Sequence, residues 1–379
     1  MILTSTLSKI LGYDVVRHKA CEVNPSHMKQ YVGENPIKDS TLVGIELEFE
    51  NYTKNLPDGE LRQVFQYNWI NQTDGSLRNH GMEFITHIGF NASDCDAALG
   101  VMQAALTCPE YAKIDASARC GVHVHLNMLD ETVGTCQKLI LLYCIFEQFL
   151  FQYSGNRQQN LNCVPMLDVK EVEELSAFLD NPTKVSEGQF IHMIKSFDKY
   201  GAFNLHALLE HGTIEFRHHA GTKDMKVVRK WLRMLLEMLN YARVTPIEHL
   251  KTTLFELNTK SHYYQFFNQV FPCLAGEQGY EIRKDMRENV ARLKEIILLH
   301  KQEKQETPKQ TLNPRPRPIA ERGFVWPNVP RGVRAEGAIA ALQNAVENIR
   351  MRPNAPAFAI DPMIEQWAWE DAQNEEQLR

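Results

Sequence analysis

Three short stretches of this chain alternate apolar and polar residues with the two-residue period of a strand buried on one face. In Gly44-Ile45-Glu46-Leu47-Glu48-Phe49 the apolar Ile45, Leu47 and Phe49 point one way, and Glu46, Glu48 and Glu50 point the other. Cys120-Gly121-Val122-His123-Val124-His125-Leu126 sets Val122, Val124 and Leu126 against His123 and His125. Thr213-Ile214-Glu215-Phe216-Arg217 sets Ile214 and Phe216 against Thr213, Glu215 and Arg217. The pattern predicts strands at 42–50, around 82–88, at 121–128 and at 212–219.

Between these strands apolar residues return at helical spacing, which predicts helices at about 92–107, 131–153, 168–180, 186–197, 223–241 and 280–301. Asp224 is placed to cap the helix whose Val227, Val228, Trp231, Leu232, Leu235, Leu236 and Leu239 form one apolar stripe. The helices between strands vary in length, with no strict βαβ repeat and no Gly-rich phosphate loop. That predicts an α+β protein with an antiparallel sheet and helices to one side. The longest apolar run, 139–151, contains Glu147 and Gln148 and reads as a buried helix rather than a membrane span.

Three regions follow: a mixed leader over 1–40 with Pro25 and Pro36, a main domain over 41–300, and an extension over 301–379. The extension opens with a polar segment ending Pro314-Arg315-Pro316-Arg317-Pro318, a stiff extended linker. Helical periodicity returns over 337–351, and the last residues join Trp367 and Trp369 to many acids, which suits a docking element and disorder equally.

Composition narrows the function classes. At 379 residues, 44% apolar and 23% charged, the chain can bury a sizeable core. Its formal charge of −6 argues against a protein that coats nucleic acid, which is not expected as a non-specific partner. The eight cysteines lack C-x-x-C spacing and read as reduced structural thiols. Charges interrupt the apolar residues of 1–20, so a cytoplasmic protein with no membrane association is expected.

The chemistry lies on the polar faces of the strands. Glutamate is a poor strand former, so its repetition at 46, 48 and 50 needs a reason. His123 and His125 sit one pleat repeat apart on one face, roughly 7 Å. Each motif alone has an ordinary reading: a solvated sheet face, a satisfied histidine pair, a cross-strand charge pair worth little. Their coincidence on alternate positions favours a site, and carboxylates with an imidazole suit Mg²⁺ or Mn²⁺ more than zinc.

These residues resemble the amidoligase family, related to glutamine synthetase and gamma-glutamylcysteine synthetase, many of whose members occur in phages. The resemblance runs from about Leu42 to Leu239. Gly44-Ile45-Glu46-Leu47-Glu48-Phe49 is similar to the opening strand, and Asp74-Gly75-Ser76-Leu77 with Gly81-Met82-Glu83-Phe84-Ile85-Thr86 is similar to the second. Cys120 to His125 resembles the central motif, Arg157 an arginine after a long helix, and Tyr200 to Asn204 with Gly212 to Arg217 and Gly221-Thr222 the closing signature. The resemblance implies a glutamine synthetase-like catalytic fold in which Glu46, Glu48, His123 and Glu215 hold magnesium, with Glu83 a further candidate ligand. Arg217 would grip phosphate or a substrate carboxylate, and His125 would face the nucleotide, although which histidine ligates metal stays open. Asp74 would bind or deprotonate the amine, or simply make a turn. Arg157 would be a second phosphate clamp or a structural ion pair.

The implied activity is ATP-dependent amide formation between a carboxylate and an amine through an acyl phosphate, on small-molecule, peptide or protein substrates, in a monomer or an oligomer. Rival readings are a phosphotransferase on the same fold, a metallohydrolase, and a non-catalytic metal- or peptide-binding module.

Overall fold

Ile45, Leu47 and Phe49 are fully buried while Glu46 between them keeps a fifth of its side chain in contact with solvent, so the two-residue period does orient this strand. The computed structural model describes residues 29–31, 36–52, 59–86, 90–111, 113–166, 187–197, 199–275 and 283–306. In these residues six antiparallel strands form one sheet: β1 (Val43–Phe49), β2 (Trp69–Thr73), β3 (Met82–Thr86), β4 (Gly121–Asn127), β5 (Phe203–Asn204) and β6 (Thr213–Ala220). Their spatial order is β2-β3-β1-β4-β6-β5. The chain is an α+β protein with an antiparallel sheet and helices.

The nine α-helices among the described residues are α1 (Gly59–Asn68), α2 (Ala92–Leu106), α3 (Val133–Tyr153), α4 (Glu187–Ser196), α5 (Ala207–Glu210), α6 (Met225–Val244), α7 (Ile247–Glu256), α8 (Lys260–Val270) and α9 (Lys284–Glu306). Helices α2, α3 and α6 cover the apolar face of the sheet. By length and composition α3 could cross a membrane, but it is the central core helix, with Leu139 to Phe146 all at 1% exposure or less. Around its Phe146 stand Phe266, Phe271, Tyr263 and Phe267 at ring distances of 5.3, 5.0, 5.5 and 6.3 Å.

Capping follows side-chain chemistry. Asp224 accepts a hydrogen bond from the Lys226 amide at the start of α6, as its sequence position predicts, and Asn91, Thr132 and Thr259 do the same for α2, α3 and α8. The expected α6 stripe is buried except at Val227, which is 37% exposed because it falls on the outer flank of the helix. Strand β2, the two-residue β5 and helices α1, α5, α7 and α8 are additions to the expected set. β2 has no alternation to read, since only Trp69 of its five residues is buried. The predicted helix at 168–180, positions 87–88 of the predicted strand, nearly all of the leader and the extension beyond 306 lie outside the described residues.

A bulge in β6 shapes the sheet behind the polar face. Val122 pairs with His219 but Val124 pairs with Phe216, so three steps of β6 face two of β4. The extra residue breaks the alternation and buries both His218 and His219, whose rings lie 6.0 and 5.7 Å from Trp231. Tyr143 Oη donates to Glu147 Oε1 at 2.8 Å and lies 3.0 Å from His218 Nε2. Burial, with Arg157 and His219 nearby, pushes the His218 imidazole down to about 3, so it is neutral.

Truncation at the centre of this core has a predictable cost. Phe146→Ala is expected to lose about 3–5 kcal/mol of stability, and Val244→Ala, at a 79% exposed position, less than about 0.5 kcal/mol, as measured by chemical denaturation.

Candidate active site

Strand register converts the separate motifs into rows across one face of the sheet. Residues paired across antiparallel strands share a face with Cβ atoms about 5 Å apart. Ile70, Ile85, Glu46 and His123 form one row, and Gln72, Glu83 and Glu48 form the next. On the other side run Gly44, His125, Glu215 and Asn204. Four strands far apart in the sequence therefore put Glu46, Glu48, Glu83, His123, His125 and Glu215 on one patch.

Glu46 is its hub. His123 Nδ1 donates to Glu46 Oε2 at 2.9 Å and His125 Nε2 donates to Glu46 Oε1 at 3.0 Å. His123 Nδ1 also lies 3.3 Å from Glu215 Oε1, and its Nε2 lies 3.8 Å from Glu48 Oε1. His125 is oriented from behind, with Nδ1 2.9 Å from Thr213 Oγ1. Glu215 accepts from Arg217 Nη1 at 2.6 Å and from Asn204 Nδ2 at 2.7 Å. Ligand atoms come within 4.8 Å of one another in three overlapping groups: Glu46, Glu83 and His123; Glu46, His125 and Glu215; Glu48, Asp74 and Glu83.

Burial and charge act in opposition here. Burial alone would raise Glu46, but hydrogen bonds from His123 and His125, and their charge, hold it well below the usual carboxylate range. Glu215 is likewise lowered, because His123, His125 and Arg217 outweigh its desolvation. His125 is raised: burial opposes its charge, but the hydrogen bond and charge of Glu46, then Glu215, prevail. Glu83 has no cationic partner of that strength. Desolvation and the Glu46 carboxylate push it up to about 7.

Two arginines end on this patch in different ways. Arg217 bridges Glu215 and, through Nε at 3.0 Å, the Asn162 carbonyl. Arg157 is buried, and its guanidinium donates to the carbonyls of Arg217, His219 and Arg119 at 3.2 Å each, which clips the β6 bulge to the start of β4. Its Nη1 and His123 Nε2 would lie 2.4 and 2.9 Å from a Cβ at position 121, so only glycine leaves them room. The Gly121 amide donates to Glu48 Oε2. Arg157 is thus held by backbone carbonyls rather than by a carboxylate partner. Asp74 makes the anticipated turn, with Oδ1 accepting from the Ser76 amide at 2.8 Å, and its carboxylate lies beside those of Glu48 and Glu83.

Sequence reading missed the supporting residues Gln72, Asn204, Gly121 and Thr213's contact with His125. Gln72 Nε2 donates to Glu83 Oε2 at 2.6 Å. Gly121 and Asn204 lay inside motifs already singled out and Thr213 alternates with Glu215 and Arg217, but Gln72 lies on a strand without a pattern. Glu50, on the same face as Glu46 and Glu48, turns instead to the hairpin and accepts from the Arg78 amide at 2.9 Å. A cavity of about 320 Å³ opens beside His125, among Glu46, Ile85, Asn127 and His211.

Comparison with known families agrees with the strand motifs over part of the chain. A family model described as "Putative amidoligase enzyme" matches residues 101–239. That stretch holds β4 to α6 and so His123, His125, Arg157, Glu215 and Arg217; Glu46, Glu48, Asp74 and Glu83 lie outside it and join the set by spatial proximity. The match points to a ligase-like enzyme. No curated protein matches the chain.

The raised Glu83 fixes the sign of a pH effect. Between its ordinary value and about 7 the folded protein binds a proton that the unfolded chain does not, so stability falls as pH rises through that window. Glu83→Gln, in chelator-treated protein, is expected to flatten this decline, melting above the parent at pH 7.5 and level with it near pH 4.5. Parallel melting curves for the two proteins across that range would contradict the assignment.

Proposed function

We propose that this chain is an ATP-dependent carboxylate–amine ligase that forms an amide through an acyl phosphate, with divalent cations held on the polar face of the sheet. The observation that carries the reading is the convergence of five carboxylates and two imidazoles in three overlapping candidate ligand groups beside Arg217, with the strands of His123, His125 and Glu215 inside the amidoligase match. The donor set fits a hard cation. Glu46, Glu48 and Glu215 keep only 20%, 7% and 5% of their side chains exposed, and Glu83 is driven toward protonation by desolvation and by the Glu46 carboxylate. Mg²⁺ or Mn²⁺ would relieve that repulsion, and oxygen ligands with one imidazole suit either ion.

Glu46, Glu48, Glu83, His123 and Glu215 would hold the metal, which would supply charge neutralisation for the phosphates. The residues of the chain account for the remainder. Arg217, fixed by Glu215 and the Asn162 carbonyl, is a permanent cation with a planar fork suited to phosphoryl oxygens. Arg157 anchors the bulge that carries Arg217 and so holds that fork in place. His125 and the cavity beside it take the nucleotide end, and the acidic group of Glu48, Asp74 and Glu83 takes the amine end. A substrate carboxylate oxygen attacks the γ-phosphorus and ADP leaves; the amine nitrogen then attacks the acyl carbon, inorganic phosphate leaves, and the amine proton passes to Asp74 or to solvent. Alignment and charge stabilisation carry such a reaction, and no nucleophilic side chain is required. A cytoplasmic supply of ATP suits this chemistry.

ADP release should require Mg²⁺ and both a carboxylate and an amine from mixed pools, with a product mass equal to their sum less water. Glu215→Ala is expected to reduce turnover at least 10³-fold and to abolish the rise in melting temperature that Mg²⁺ gives the parent protein. Turnover with carboxylate alone would identify a phosphotransferase, and an active Glu215→Ala would remove the metal assignment.

A further inference from the structure

Among the described residues the sheet ends on β2, and that edge is open. Ile70, Asn71, Gln72 and Thr73 are all exposed, Ile70 at 45%. Among the described residues no main-chain group outside β3 is bonded to them. Sheet edges are normally guarded against strand addition by charged side chains, by proline or by a bulge. β2 has none of these: the run Ile-Asn-Gln-Thr is uncharged and its register with β3 is unbroken.

The same edge is continuous with the candidate site. Ile70 stands in the row of Ile85 and Glu46, and Gln72 stands in the row of Glu83 and Glu48, with its amide bonded to the Glu83 carboxylate. A strand added outside β2 would extend both rows by one position.

We propose that an extended peptide segment docks on β2 as a seventh strand and is the amine-bearing substrate, presenting an apolar residue opposite Ile70 and a lysine opposite Gln72. This rests on the ligase reading. Neighbouring strands lie about 4.8 Å apart, so the added backbone runs roughly 10 Å from that of β3. The four-carbon stem of a lysine crosses most of that gap and carries its ammonium to Glu83. Charge agrees: Glu48, Asp74 and Glu83 bring their carboxylates together at this end, which complements an ammonium and opposes an acidic side chain. Apolarity agrees as well, since Ile70 and Ile85 lie two residues along from Gln72 and Glu83, where the next same-face side chain of a strand falls. Main-chain hydrogen bonds to the edge supply affinity, and the two alternate positions supply selectivity. A second copy of the chain, paired through its own β2, would bring no lysine to the site.

The test is amide hydrogen exchange of residues 69–73 in the full-length protein, with Mg²⁺ and a non-hydrolysable ATP analogue. The probe is a pool of heptapeptides with lysine at the centre and any residue but proline elsewhere. Exchange is expected to slow at least tenfold with this pool, to be unaffected by a pool with proline on both sides of the lysine, and to be unaffected by either pool in Ile70→Asp. Equal slowing by both pools, or none by either, overturns the proposal. Slowing that grows with protein concentration in the absence of peptide identifies a second copy as the occupant and overturns it too. ADP release supported equally by small amines in the parent and in Ile70→Asp, without protection of β2 by any peptide, leaves the ligase reading standing and removes this one. Protection of β2 by the lysine pool in a protein that never releases ADP retains the docking site and removes the ligase reading.

Discussion

The Glu46 carboxylate takes hydrogen bonds from His123 and His125, and the rest of the site is arranged around that pair of bonds. It sits opposite His123 in the β1–β4 register and one strand from Glu83, so two of the three candidate ligand groups include it and the third contains its neighbour Glu83. A shift of one residue between β1 and β4 would send the imidazoles into the core and bring Val122 and Val124 out. The buried valines and the histidine–carboxylate bonds thus enforce the same register from opposite faces of the sheet. Packing and chemistry are specified by a single alignment.

Gathering carboxylates on a half-buried surface raises the energy of the folded state, and the chain offsets this in three ways. His123, His125 and Arg217 stabilise Glu46 and Glu215 in their charged forms. Backbone amides serve Glu48 and Glu50, through Gly121 and Arg78. Glu83 has the neutral amide of Gln72 as its donor, and its tendency to stay protonated comes from desolvation first and from repulsion by Glu46 second. In the proposed ligase a divalent cation would act on that residue most directly. The same deficit would favour an ammonium at the Asp74 end, so the proposed metal site and the proposed amine site would adjoin on one acidic strip.

The bulge in β6 divides work between the two faces. It lets Glu215 and Arg217 remain on the polar side while His218 and His219 turn to the helices, where Tyr143 and Trp231 meet them. Arg157 closes the irregular backbone by donating to the carbonyls of Arg217 and His219. An arginine after the long helix thus reaches the site through the backbone it holds, which explains why its position can matter to Arg217 while its guanidinium is committed to main-chain oxygens.

Alternation in β1, β4 and β6 was enough to place Glu46, Glu48, His123, His125, Glu215 and Arg217 on polar faces, because a period of two is a local property that survives into any sheet. Helix α6 was legible for the same reason, with its Asp224 cap and apolar stripe, apart from Val227, where the boundary of the stripe depends on what packs beside it. Nothing local marked β2, whose edge position removes the buried face that would pattern it, nor β5, which is too short to show a period. Register, too, is a relation between strands distant in the chain. It alone decided that Glu83 faces Glu48, that Gln72 and Asn204 support the carboxylates, and that Gly121 must lack a side chain beside Arg157. The residue types and their faces were written in the chain one segment at a time, whereas the three-way grouping of ligands exists only once long-range pairing has chosen which faces meet.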